Sequence, residues 1–215
     1  MKVEIWSDVM CPFCYIGKRK FEMALENFEG KDCVEIIWKS FQLDPDSITD
    51  PNKNVQDYLA ERKGVTIEKA KEMNAYVTMI ASKVGLDYHL DKAILANSFD
   101  AHRFSHLAKV HGKQNEAEEL LFKAYFTEGK NIADRNELIE IGSKIGLDTQ
   151  EINDVLADNV YAEDVKADIL EAQQLGISGV PFFVFNRKYA VSGAQESDTF
   201  LNVMQTTLKE GLVES

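Results

Sequence analysis

The sequence predicts an α/β fold interrupted by a large all-helical insertion, and three observations carry that expectation. Residues 2–7, Lys-Val-Glu-Ile-Trp-Ser, alternate polar and apolar as a half-buried strand does, and residues 14–28 then repeat apolar side chains at helical spacing. From about residue 55 to 174 the pattern is helical throughout, with several separate apolar stripes. Residues 180–185, Val-Pro-Phe-Phe-Val-Phe, form one continuous apolar run of strand length. Strand–helix–strand, a helical block, then helix–strand–strand–helix reads as one α/β domain, residues 1–42 and 161–215, divided by a helical insertion at 43–160.

The first helix opens at Cys11-Pro12-Phe13-Cys14. Its stripe of Cys14, Gly17, Phe21, Ala24, Leu25 and Phe28 puts Cys14 one turn inside on the packed face and leaves Cys11 at the open N-terminus. There the helix dipole and unpaired amides favour a thiolate. Pro12 suits the first turn, where a missing N–H costs nothing. A partner three residues away closes a disulfide without moving the backbone far.

Residues 32–41, rich in β-branched and aromatic side chains, read as a second strand that includes Cys33. Residues 44–54, with Pro45, Pro51 and several Asp and Asn, read as a loop. Thr66 caps a helix with Ile67, Ala70, Met73, Val77, Ile80 and Val84 on one stripe, ending at Gly85. Further helices are expected from Phe99 to Gly112, Ala117 to Gly129, and from an Asp134–Glu137 capping box to Gly146. Thr149 begins a short helix, and Val165 to Leu175 a last one. After the late apolar strand come a turn at 186–188, a returning strand at 189–192, and a closing helix marked by Phe200, Met204 and Leu208.

Composition narrows the function. The 24 basic against 36 acidic side chains give a net charge of −12, which argues against nucleic acid or an anionic membrane as partner. No apolar run reaches the ~18 residues a membrane span needs. With Met1 as the natural start and no charged-then-apolar leader, a cytoplasmic protein is expected. A lone Cys-x-x-Cys reads as half a zinc site or a redox pair. Zinc needs two more ligands at suitable spacing, and the one other cysteine is Cys33, so the redox reading leads and no metal is expected. Cys33 reads as a small buried hydrophobe in its strand. His102 and His106, one turn apart, read as core or capping histidines rather than ligands, and Lys18-Arg19-Lys20 as a solvated helix face. Asp8 caps or shapes the loop before the motif.

Several stretches together carry a family resemblance. Ser-Asp-Val-Met-Cys-Pro-Phe-Cys-Tyr-Ile-Gly at 7–17, Asn-Ser-Phe-Asp-Ala-His-Arg at 97–103, Gly-Val-Pro at 179–181 and Ser-Gly-Ala-Gln at 192–195 resemble the DsbA-like thiol oxidoreductases, in their FrnE branch. The resemblance spans nearly the whole chain. It implies a thioredoxin-like fold with a helical insertion, catalytic Cys11 and Cys14, and a cis Pro181 facing the cysteine pair. Val180, Pro181, Phe13 and Pro12 form the implied substrate-binding set, with Val180 pairing to an extended substrate as an added strand would. Phe13 stands where secreted members usually carry His. The stretch 97–103 borders the implied groove or simply caps a helix.

The expected activity is dithiol–disulfide exchange or isomerisation on protein substrates through the Cys-Pro-Phe-Cys motif. No cofactor is expected to be bound; an external thiol such as glutathione, or a reductase, recycles the pair. Two rivals differ in class. The kappa-type glutathione transferases and related isomerases share the fold but typically place Ser where this chain has Cys11. A non-enzymatic redox sensor or holdase would use the apolar groove alone.

Overall fold

In a computed structural model, which describes residues 1–213, the chain divides into two units: residues 1–43 with the chain from 166 onward, and residues 44–165. In chain order the elements are β1 (Lys2–Ser7), α1 (Pro12–Glu26), β2 (Glu35–Ser40), β3 (Asp50–Asn54), α2 (Val55–Lys63) and α3 (Ile67–Ser82). There follow β4 (Ile94–Leu95), α4 (Phe99–Val110), α5 (Gln114–Phe126), α6 (Arg135–Lys144), α7 (Thr149–Ala157) and α8 (Ala162–Gln174). The chain closes with β5 (Phe182–Phe185), β6 (Tyr189–Ser192) and α9 (Ser197–Val213).

The first unit is built on a sheet of order β2-β1-β5-β6, with β1 parallel to β2 and antiparallel to β5. Side chains alternate across a strand, so Val3 and Ile5 share one face with their partners Phe185 and Phe183. Phe21 of α1 and Phe200 of α9 pack there; the Phe183 and Phe200 rings meet edge-on at 4.6 Å, and Phe21 lies 5.6 Å from Phe183. The central position of β5 explains its unbroken apolar run: Phe183, Val184 and Phe185 are all buried.

Glu4 and Trp6 lie on the other face with Val184, against Ala172 and Ile177. Here the packing is partly ionic. Trp6 Nε1 donates to the Asp168 carbonyl at 3.0 Å, and Lys39 and Arg187 lie over the indole at 5.8 and 5.7 Å. Arg187 pairs with buried Glu4 and with Glu171, which helps hold a turn where Asn186 and Arg187 adopt φ of 47° and 56°. Asp168, 4% exposed, takes Lys39 Nζ at 2.6 Å and the Ser40 N–H at 3.0 Å.

Two sequence expectations fail in this unit. Cys33 is exposed, in a 3-10 turn (Lys31–Cys33) before β2. The β1–β2 ladder begins at Lys2↔Glu35, so no neighbouring strand covers Cys33; its carbonyl instead accepts the Met1 ammonium at 2.6 Å. Lys18 and Lys20 are buried rather than solvated, at 2% and 9% exposure. Each is satisfied by a carboxylate, Lys18 by Glu22 at 2.5 Å and Lys20 by Glu196 at 2.6 Å.

The second unit is mostly helical, and its helix starts follow local chemistry. Asn54, Thr66, Asp134 and Asp148 cap the helices that follow them through side-chain oxygens; Asp148 takes the place expected of Thr149. Phe104, Leu107, Leu121, Phe122, Leu138 and Ile152 are fully buried. Residues 50–54, expected as loop, form β3 and pair irregularly with β4 inside the expected helical block. Nothing in Asp-Pro-Asn-Lys-Asn favours a strand; pairing with Ile94–Leu95 imposes it. In the family-like stretch, Asn97 ties down the preceding loop through the Ser47 and Pro45 carbonyls and accepts the Phe99 N–H at 2.9 Å. Arg103, 3% exposed, donates to the carbonyls of Val155, Asp158 and Val160 where α7 ends. His102 and His106 are buried on α4, and the His106 ring lies nearly parallel to that of Tyr161.

Removing Asp168 takes the acceptor from the Ser40 N–H and leaves Lys39 with Glu171 as its remaining carboxylate. Asp168→Ala is expected to cost about 3 kcal/mol in urea unfolding. Burial opposes the Lys39 charge, but Asp168 and Glu171 outweigh it and raise its pKa above the ordinary lysine value. The folded value being the higher, this stabilisation is fully present below about pH 10.4 and is lost as pH rises through the folded pKa. The gap between wild type and variant should therefore narrow in strong alkali.

Candidate active site

Asp8 sets the approach to the motif. Its carboxylate accepts the Met10 N–H at 3.2 Å and the Leu43 N–H at 2.8 Å, and its carbonyl accepts the Cys11 N–H at 2.9 Å. The loop so folded delivers Cys11 as the N-cap of α1, extended at φ −87° and ψ 112°, with Pro12 in the first turn. Cys14 follows one turn in, its N–H bonded to the Cys11 carbonyl at 2.9 Å. Both cysteines carry free thiols.

Their surroundings differ. Cys14 is 0% exposed, and burial is the main cause that raises its pKa well above that of an ordinary thiol. The adjacent Cys11 sulfur adds to the rise, whereas the Ser7 hydroxyl and the Asp8 backbone pull the other way. Cys11, 4% exposed, sits at the positive end of the helix dipole, with its Sγ 3.5 Å from the Val180 carbonyl. Phe13 is 40% exposed beside it, and Pro12 is half-buried.

The Val180–Pro181 bond is cis, as the family resemblance implies. Pro181 is buried, and its carbonyl accepts the Gly193 N–H at 2.8 Å, which fixes the loop to the end of β6. The Val180 N–H donates to no group among the described residues. Cys11, Cys14, Pro12, Phe13, Val180 and Pro181 all belong to the first unit, and the Cys11–Val180 contact joins the motif to the late loop. A buried thiol behind a second thiol at a helix terminus, beside a loop backbone with an unengaged N–H, is an arrangement for thiol–disulfide exchange.

Sequence reading places Gly17 on the packed stripe of α1 without showing what it meets. A Cβ there would lie 2.8 Å from Pro181 Cγ and 3.5 Å from Ala194 Cα, so only glycine lets α1 approach the loop this closely. A signal existed: a glycine in a helix interior costs up to ~1 kcal/mol relative to Ala, which asks for a packing reason. Lys20 donates to the Ala194 carbonyl at 3.3 Å, bracing the same segment. Among the described residues no cluster of three or more His, Cys, Asp or Glu could hold a metal ion, and no helix is long and apolar enough to cross a membrane.

The family model for the DSBA-like thioredoxin domain matches residues 2–205. The crystal structure of a probable DsbA oxidoreductase from Streptomyces coelicolor superposes with a TM-score of 0.91 at 38% identity, over 98% of this chain and 91% of that one. The uncharacterized protein YwbO of Bacillus subtilis (strain 168) is 28% identical over 207 residues, 92% of each chain. The cytosolic disulfide reductase DsbM from Pseudomonas aeruginosa shares the fold, with a TM-score of 0.70 at 17% identity, over 97% of this chain and 99% of that one.

Gly17→Ala sets two effects against each other. Helix propensity gains up to ~1 kcal/mol, while forcing a methyl against the proline ring costs ~1–3 kcal/mol. Because a proline ring cannot rotate away, the second is expected to win, with a net loss of ~1 kcal/mol in thermal unfolding. Disulfide exchange should fall more than stability does, because the displaced loop carries Val180.

Proposed function

The chain belongs to the DSBA-like thioredoxin family, and from that premise we propose that it is a protein disulfide oxidoreductase or isomerase working through Cys11 and Cys14. One observation carries the reading: the Cys11 sulfur at the start of α1 lies against the Val180 carbonyl while Cys14 is sealed behind it. The Cys11 thiolate attacks a substrate disulfide R–S–S–R′, forming Cys11–S–S–R and releasing R′–S⁻. The Cys14 thiolate then attacks the Cys11 sulfur, closing the enzyme disulfide and expelling R–S⁻. The substrate disulfide has been reduced and the enzyme pair oxidised. Two equivalents of an external thiol such as glutathione return the pair to the dithiol form.

An extended substrate segment lies along Val180, bonded to its backbone, with an apolar side chain against Phe13 and Pro12. This proposal fits a free N–H at Val180 and an exposed aromatic ring next to the nucleophile. Strong oxidants of this kind stabilise the reduced form with donors aimed at the sulfur. Phe13 has no hydrogen to donate there. The reduced form is accordingly less favoured, and the disulfide harder to reduce. That suits net reduction or isomerisation in a reducing compartment such as the cytoplasm.

Trapping tests the division of labour. Cys14→Ser should accumulate mixed disulfides with protein substrates on non-reducing gels, and Cys11→Ser should not; trapping by the wrong variant, or by neither, would overturn the assignment. Redox titration against glutathione is expected to give a potential below the ~−120 mV of DsbA. Phe13→His should raise it by about 30 mV for each ~1.4 kcal/mol gained by the reduced form.

A further inference from the structure

Ser7 occupies an unusual place in the sheet. Alternation along β1 turns Val3, Ile5 and Ser7 to the same face, the one on which α1 packs. Val3 and Ile5 fill it with hydrocarbon. Ser7, at the end of the strand and 2% exposed, brings a hydroxyl instead. That hydroxyl has no hydrogen-bond partner among the described residues, and buried hydroxyls ordinarily have one. The helix packed on that face has fully buried Cys14 in its first turn, and the Ser7 hydroxyl and the Asp8 backbone both favour charge on that sulfur, against burial and the neighbouring Cys11. A neutral thiol is a weak acceptor. A thiolate is a strong one.

We propose that Ser7 is a catalytic donor for the second half of the exchange: its hydroxyl, with the Asp8 N–H, holds the thiolate that Cys14 must become before it can resolve the mixed disulfide. The inference rests on the assignment of Cys14 as resolving cysteine. In the step, Cys14 loses its proton to the first substrate thiolate released, which departs as R′–SH. The Cys14–Cys11 bond forms as the Cys11–substrate bond breaks, and the expelled R–S⁻ takes its proton from solvent. Preorganised donors of this kind act where charge develops and need not reorganise during the reaction. Within this unit the other titratable groups near Cys14 are the Cys11 thiol, the Asp8 carboxylate, held by two backbone N–H groups, and Lys18 one turn further along α1, paired with Glu22. Val180 and Pro181 carry none.

Ellman's reagent separates the two steps on the full-length reduced protein carrying Cys33→Ser, which removes the exposed third thiol that would itself react. Attack by Cys11 releases one equivalent of the coloured thiolate, and resolution by Cys14 releases a second. Ser7→Ala should leave the first phase unchanged and slow the second at neutral pH. A rise of one pKa unit cuts the thiolate tenfold but returns ~threefold in nucleophilicity, so the expected slowing is ~threefold per unit. For the same reason the deficit should close, and then reverse, above the variant's own pKa. Ser7→Thr, which keeps the hydroxyl, should restore the neutral-pH rate, and Ser7→Gly should repeat the alanine result should that variant fold poorly. An unchanged second phase, equal slowing of both phases, or a deficit that persists at high pH would overturn the role of Ser7. A Cys33→Ser protein with Ser7 intact that shows no second phase would instead overturn Cys14 as resolving cysteine.

Discussion

The contact of Gly17 with the ring of Pro181 is where two distant parts of the chain become one site. A helix carrying any Cβ at that position would stand further from the loop. Cys11 would then lose its place beside the Val180 carbonyl, 3.5 Å from its sulfur. The same loop is held on its far side by the Gly193 N–H, and the segment after Gly193 by Lys20. The late loop is thus clamped between β6 and α1. A glycine that weakens its own helix is therefore what allows the Cys11 sulfur and the Val180 backbone to meet.

The sheet serves the site by being different on its two faces. Toward α1 and α9 it is aromatic and dry, with Phe21, Phe183 and Phe200 interlocked, so the helix bearing the cysteines has a rigid seat. Toward α8 it carries Glu4, Trp6 and a connected set of charges through Arg187, Glu171, Lys39 and Asp168. Removing one member of such a set strands the others, whereas each apolar contact is individually small.

Burial also divides the chemistry between the two sulfurs. Cys11 has the helix terminus, while Cys14 is sealed one turn inside, and its pKa is pushed up by its surroundings. An unassisted buried thiol would be a slow second nucleophile. Placing a hydroxyl and a backbone N–H beneath it offsets part of that penalty without opening the site to water.

Much was legible in the sequence because it is written in short-range chemistry. The alternation of residues 2–7, the cysteines at a strand-to-helix junction, the caps at Thr66 and Asp134, and the apolar run ending in a turn at Asn186 each depend on neighbours within a few residues. What was missed lies in pairs far apart in the chain. Lys20 is buried only because Glu196 and the Ala194 carbonyl receive it, and residues 50–54 become a strand only through Ile94 and Leu95. Cys33 is exposed because the β1–β2 ladder starts two residues beyond it. Sequence by itself determined the elements, the cysteine pair and its order along the helix, since periodicity and capping are local. Tertiary structure alone decided that Gly17 meets Pro181 and that Val180 reaches the Cys11 sulfur, because close approach between remote segments leaves no periodic trace in either one.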